Sequence, residues 1–162
     1  MEGRPLQPAI GSRWGVRNSP LQVKIKQIDP ELPLPGPQTG GAAGFDLITR
    51  EDTTIQPGEF GLIPANVIVE VPRGYALIVA ARSSTPRRTG LAIPHGIGII
   101  DSDYRGDGDE IKVQVWNTTD APVMVARGER IAQGILVKIE SVSWQPDTDA
   151  FGDTRGGFGS TG

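Results

Sequence analysis

From residue 21 onward the chain alternates apolar and polar positions, with Leu21, Val23 and Ile25 set against Gln22, Lys24 and Lys26. A period of two marks a strand with one covered face, so LQVKIKQ (21–27) is predicted as a half-buried strand. PELPLPGP (30–37) follows as a stiff, extended connector. DLITREDTTIQ (46–56) reads as strand up to the Pro57-Gly58 break, and NVIVEV (66–71) stops at Pro72-Arg73-Gly74. YALIVAA (75–81) resumes at once. IKVQVWN (111–117) places Ile111, Val113 and Val115 on one face, and RIAQGILVKI (130–139) is long enough for a central strand bent at Gly134. No segment predicts a long helix. Turn signals recur at the spacing of antiparallel sandwiches and barrels, so the predicted fold is all-β, and no internal repeat is present.

Composition sharpens this picture. Gly 22 and Pro 14 in 162 residues make more than a fifth of the chain, against roughly 12% ordinarily. The length suits one domain with its own core. Three units are predicted: a disordered extension over 1–20, an all-β domain over 21–150 and a flexible, glycine-rich segment over 151–162. The first 20 residues lack the apolar core of a secretory signal, and their three arginines only faintly resemble a transit peptide. The predicted location is cytoplasmic, with an organellar, phage or viral origin left open. Cysteine is absent and His95 is the single histidine, which excludes disulfides, thiolate nucleophiles and multi-histidine metal centres. A net charge of −3 argues against a nucleic-acid-coating face, and no apolar run is long enough to span a membrane.

Candidate chemistry gathers in a few short segments. The absence of any Gly-Lys dipeptide excludes a Walker A loop, and His95 within IPHGIG sits in turn sequence rather than in a hydrolase triad. TGGAAGFDL (39–47) brings Asp46 to a strand start, where capping its own backbone is the plain reading. ARSST (81–85) offers the Arg82 fork beside the hydroxyls of Ser83 and Ser84, a set suited to an oligophosphate or to a solvated loop. GIGII (96–100) delivers Asp101 and Asp103 to a hairpin end beside Tyr104. That group reads as a metal site, a base with a stacking ring, or an acidic tip, and the apolar run predicts partly buried surroundings for Asp101. GERIAQ (128–133) places Gln133 on a buried stretch, where its amide needs partners. RGGFGSTG (155–162) carries one cation and one aromatic among residues that allow close backbone approach.

In this order the segments resemble the homotrimeric dUTPase family, with AAGFDL, ARSS, GIIDSDYRG, GERIAQ and RGGFGSTG matching its five motifs over about 21–162. The resemblance implies a jelly-roll-like all-β subunit, a homotrimer with shared active sites, and hydrolysis of dUTP to dUMP and pyrophosphate. That reaction supplies dUMP for thymidylate synthesis and keeps uracil out of DNA. It further implies that Asp101 deprotonates the attacking water and that Tyr104 packs on the deoxyribose. The hairpin from His95 to Lys112, with Gly98, Ile99 and Ile100, would read uracil largely through backbone groups. Arg82, Ser83, Ser84 and Gln133 would hold phosphate oxygens. Arg155 would reach the γ-phosphate and Phe158 would cover uracil. Mg2+ would bridge the phosphates, with Asp46 touching it only through water.

Three features depart from the family pattern. His95 stands where many members carry asparagine, Asp107-Gly108-Asp109 is a three-residue insertion, and the fifth motif is about two residues short. A dCTP deaminase of the same fold is the alternative reading, but it needs a glutamate where Gln114 stands. A non-catalytic β-sandwich nucleotide-binding protein is the other, and Asp101 together with Tyr104 argues against it.

Overall fold

The structure, a computed structural model, describes residues 20–147, 152–153 and 156. Eleven short strands and one helical turn make up the described chain. They are β1 (Lys24–Gln27), β2 (Phe45–Leu47), β3 (Thr53–Ile55), β4 (Phe60–Pro64), β5 (Val67–Glu70) and β6 (Tyr75–Ala81). After α1 (Thr85–Thr89) come β7 (Leu91–Ala92), β8 (Ile97–Ile100), β9 (Lys112–Asn117), β10 (Val123–Val125) and β11 (Ala132–Lys138). Every pairing is antiparallel. The sheets run β2-β11-β6-β8, β4-β9-β7, β1-β5 and β10-β3.

Period-two patterning builds the core where it was predicted. Along β9 Val113, Val115 and Asn117 point inward while Lys112, Gln114 and Trp116 point outward. Residues 67–69 of β5 are all buried, so both faces of that strand are covered. Val67, Val69, Val113 and Val115 pack with Leu47, Ile63, Leu77, Leu91 and Ile111 into one cluster. The predicted breaks are real turns. Gly74 takes φ +82°, a conformation that costs glycine little, and Tyr75 N–H donates to the Pro72 carbonyl at 3.0 Å.

Three expectations are corrected. The strand over 46–56 divides into β2 and β3 in different sheets, because Thr49 bonds instead to the 126–129 loop and Arg50 N–H to the Pro64 carbonyl. The strand expected from Leu21 begins at Lys24 and is largely exposed. Val23 and Ile25 do face an apolar groove with Phe45, Val69 and Leu136, but the groove is open. β11 is a central strand as expected, lying between β2 and β6, and its register with β6 is continuous through Gly134. A Cβ there would lie 2.7 Å from the Phe45 ring, so the glycine makes room for packing. Finally, residues 95–112 are not a hairpin, since β8 pairs with β6 and β9 pairs with β4 and β7. The segment between them crosses from one sheet to another.

Candidate active site

Strand β11 assembles the first part of the site. It pairs on one side with β2, setting Gln133 opposite Asp46, and on the other with β6, setting Ala132 opposite Ala81. Arg82 follows immediately, its N–H donating to the Ile131 carbonyl at 3.2 Å. Three segments far apart in the chain therefore end at one place. A cleft of about 260 Å3 opens there, lined by Gln38, Gly44, Asp46, Arg82, Ser83 and Gln133 among others.

Charge organises this cleft. Arg82 Nε lies 3.0 Å from Asp46 Oδ1, and its NH1 donates to the Arg130 carbonyl at 3.3 Å. The Asp46 side chain is only 8% exposed, so it holds the guanidinium from beneath and does not cap its own turn. Its other oxygen, Oδ2, is buried without a hydrogen-bond partner, 3.9 Å from Arg130 NH1. Gln133 donates to the Ala81 carbonyl at 3.2 Å. Ser84 occupies the N-cap position of α1 without a side-chain cap bond. The cleft presents one anchored arginine fork, the Ser83 side chain and an amide, a set whose chemistry suits an anion, with Arg130 close to the Asp46 carboxylate. Arg130 is a residue the sequence reading passed over, although it lies inside GERIAQ.

Asp101 and its neighbours are not in this cleft. β8 runs antiparallel to β6 with Ile100 opposite Leu77, so Asp101 emerges beside Ala76, whereas Arg82 leaves the far end of β6. Six residues of extended chain separate the two levels, about 20 Å at ~3.3 Å per residue. Asp101 and Asp103 instead border a separate cavity of about 530 Å3 with Arg73, Tyr75, Ser102, Ile139 and Ser141. Asp101 is exposed in the single chain, which corrects the expectation of partial burial. The preceding apolar run lies on an edge strand, and its Ile97 and Ile99 face outward.

The remaining predicted residues fall around β8 and β9. His95 is exposed in a turn closed by Gly96 N–H on the Ile93 carbonyl, at 3.1 Å. A Cβ on Gly98 would come 3.7 Å from His95 Nε2, so the imidazole lies over Gly98. As the edge strand of its sheet, β8 (with Gly98, Ile99 and Ile100) leaves one row of main-chain N–H and C=O groups free of sheet partners. Tyr104 N–H donates to the Asp101 carbonyl at 3.3 Å, and its hydroxyl donates to the Glu110 carbonyl at 3.2 Å. Lys112 is exposed on the outer face of β9. Arg155 and Phe158 lie outside the described residues. Among the described residues no group of three or more acidic or histidine side chains could cage a metal ion. No helix among them is long and apolar enough to cross a membrane.

Comparison with known proteins points to one family. The sequence model of the dUTPase family matches residues 30–162. A deoxyuridine 5'-triphosphate nucleotidohydrolase of Thermobifida fusca is 40% identical over 168 residues, covering 99% of this chain and 91% of that relative. The crystal structure of a dUTPase from Streptococcus mutans superposes with a TM-score of 0.69 at 32% identity, covering 74% of this chain and 98% of that one. A point-mutant dUTPase from phage phi11 of S. aureus, described with a structural Mg(II) ion, shares the fold. Its TM-score is 0.71 at 20% identity, with 80% of this chain and 98% of that one covered. With its nearly all-β fold and a family match spanning most of its length, this chain belongs to the dUTPase family.

Proposed function

We propose that this chain hydrolyses dUTP to dUMP and pyrophosphate, at sites that each combine residues from more than one copy of the chain in a homotrimer. The observation that carries the proposal is the separation of the Arg82 cleft from Asp101 by the length of β6. A phosphate grip and a general base must both lie within hydrogen-bond reach of one substrate and its attacking water. Across about 20 Å of one subunit they cannot. A second copy that brings its Asp101 to the cleft of the first completes the site.

In that site Arg82, Ser83, Ser84 and Gln133 hold phosphate oxygens. The buried Asp46 carboxylate fixes the Arg82 fork, so the cation is oriented before substrate arrives. Asp101 of the other copy accepts a proton from water as its oxygen bonds to the α-phosphorus. The bond to the bridging oxygen then breaks, and pyrophosphate leaves with the electron pair. Tyr104 packs on the deoxyribose. The free edge of β8 at Gly98, Ile99 and Ile100, with His95 over Gly98, offers uracil main-chain donors and acceptors, and Lys112 contributes from β9. Arg155 reaches the γ-phosphate and Phe158 covers the base.

Magnesium suits this arrangement as an ion carried by the triphosphate. The described residues offer it no cage, and the unpartnered Asp46 Oδ2 is the atom that could accept a bond from a metal-bound water. When bound, the ion would neutralise phosphate charge during displacement. By kinship with bacterial relatives the protein works in the cytoplasm. A deaminase reaction is not favoured, since Gln114 on the outer face of β9 cannot shuttle protons.

The test is pyrophosphate release from dUTP, dCTP and dTTP, with and without Mg2+, by wild type and Asp101→Asn. Turnover should be selective for dUTP, and kcat of the variant should fall by at least about 100-fold with little change in nucleotide affinity. Near-normal kcat in Asp101→Asn would refute the assignment of the base.

A further inference from the structure

We propose that Arg50 and Glu110, which lie outside all five motif segments, are positioning residues that set the Tyr104 ring and so the preference for deoxyribose. The inference rests on the reading of Tyr104 as the residue packed on the sugar. Glu110 is 9% exposed, and its carboxylate accepts three hydrogen bonds from two residues. Arg50 donates from Nε to Oε1 at 2.9 Å and from NH2 to Oε2 at 3.2 Å, and the Asn66 N–H reaches Oε1 at 2.9 Å. The paired carboxylate in turn holds the Arg50 guanidinium more firmly protonated.

Asn66 is itself fixed. It takes φ +66°, an unusual value for a residue other than glycine, and is 1% exposed. Its side chain accepts from the Asp29 N–H at 2.7 Å and donates to the Asp29 carbonyl at 3.1 Å. On the other side of Glu110, the fully buried Ile111 donates its N–H to the Val67 carbonyl at 2.9 Å. The Glu110 carbonyl between these anchors is therefore a rigid acceptor, and it is the group that receives the Tyr104 hydroxyl.

The chain between Tyr104 and Glu110 includes the Asp107-Gly108-Asp109 insertion, and it closes on itself. Gly106 N–H donates to Asp109 Oδ2 at 2.6 Å, Asp109 N–H donates to the Gly106 carbonyl at 3.0 Å, and Lys26 pairs with Asp107 at 2.7 Å. The loop therefore bulges outward while the tyrosine hydroxyl bridges its base. A ring pinned at its hydroxyl end cannot tilt away to admit a 2′-hydroxyl. One that has lost the pin can.

Three variants test this: Tyr104→Phe, Arg50→Lys and the two combined. Lysine keeps a cation beside Glu110 but loses the two-pronged geometry. Tyr104 is 39% exposed, so losing its hydroxyl does not threaten the fold. Tyr104→Phe should raise KM for dUTP about fivefold with kcat within about twofold, and lower the dUTP-over-UTP preference by a similar factor, one hydrogen bond's worth. Arg50→Lys should move KM and preference in the same direction, and the double variant should be no worse than the larger single effect. Wild-type KM and preference in Tyr104→Phe would overturn the proposal, whatever becomes of Arg50→Lys. So would an Arg50→Lys protein that melts lower but keeps both values, or single effects that multiply in the double variant. Wild-type protein inert toward dUTP would overturn the functional reading as well; normal wild-type turnover with an unresponsive Tyr104→Phe overturns only this inference.

Discussion

Two inactive variants of this chain should restore activity when they assemble together. One is Asp101→Asn, which removes the base. The other is Arg82→Ala made together with Asp46→Asn, so that no carboxylate is left buried and unpaired after the arginine is removed. If Asp101 and the arginine cleft worked within one chain, no mixture of the two would contain an intact site. If they meet across subunits, as proposed, a ring of three chains of two kinds has one junction joining an intact Asp101 to an intact cleft. Mixed assemblies isolated through two different affinity tags should then show about one-third of wild-type kcat per trimer, with KM unchanged. A random, unsorted mixture should show about one-quarter, because some rings contain only one kind of chain. A value near one-half in the sorted sample would indicate a two-chain assembly. The assay is steady-state pyrophosphate release on co-expressed, doubly purified protein. Background activity in properly mixed assemblies would refute the shared site.

Three further outcomes follow from the structure. Gly44→Ala would place a Cβ 2.5 Å from the Gly134 carbonyl oxygen, where β2 pairs with β11. The strands must part, and a denaturant melt should show a loss of about 1–3 kcal/mol; a wild-type melt would mean that the cleft wall is more pliant than described. Asp29 is held below its ordinary value of 3.8 chiefly by its hydrogen bond from Arg127. A depressed carboxylate adds stability that is present above its unfolded pKa and lost as pH falls through the folded one. The melting temperature should thus hold down to about pH 5 and drop below about pH 4, with a shallower drop in Asp29→Asn. Ending the chain before Asp153 should cut dUTP turnover more than about tenfold while leaving the melt unchanged, since the described core reaches no further than Leu136. Full activity in the truncated protein would remove Arg155 and Phe158 from the site.

What could be read along the chain was local. The alternation through Val113 and Val115, the turns at Gly58 and Gly74, and the apolar run of β6 all appear where the pattern places them, because strand period and turn chemistry are decided by neighbours in sequence. The grouping of Asp46, Arg82 and Gln133 could be suspected only from their motifs; the pairing of β2 and β6 on either side of β11 brings them into one cleft. Period two records that a strand has a covered face but not which strand lies beside it. For that reason the apparent hairpin at 95–112 turned out to be a crossover between sheets, and the strand over 46–56 turned out to be two. That Gly134 must leave room for the Phe45 ring is a requirement no local stretch announces. Arg50 and Glu110, sixty residues apart, carry no pattern that announces their pairing. Those contacts, and the distance between Asp101 and the Arg82 cleft, exist only once remote segments pack. Their positions are set by sheet register and steric fit, neither of which is a property of any local stretch of sequence.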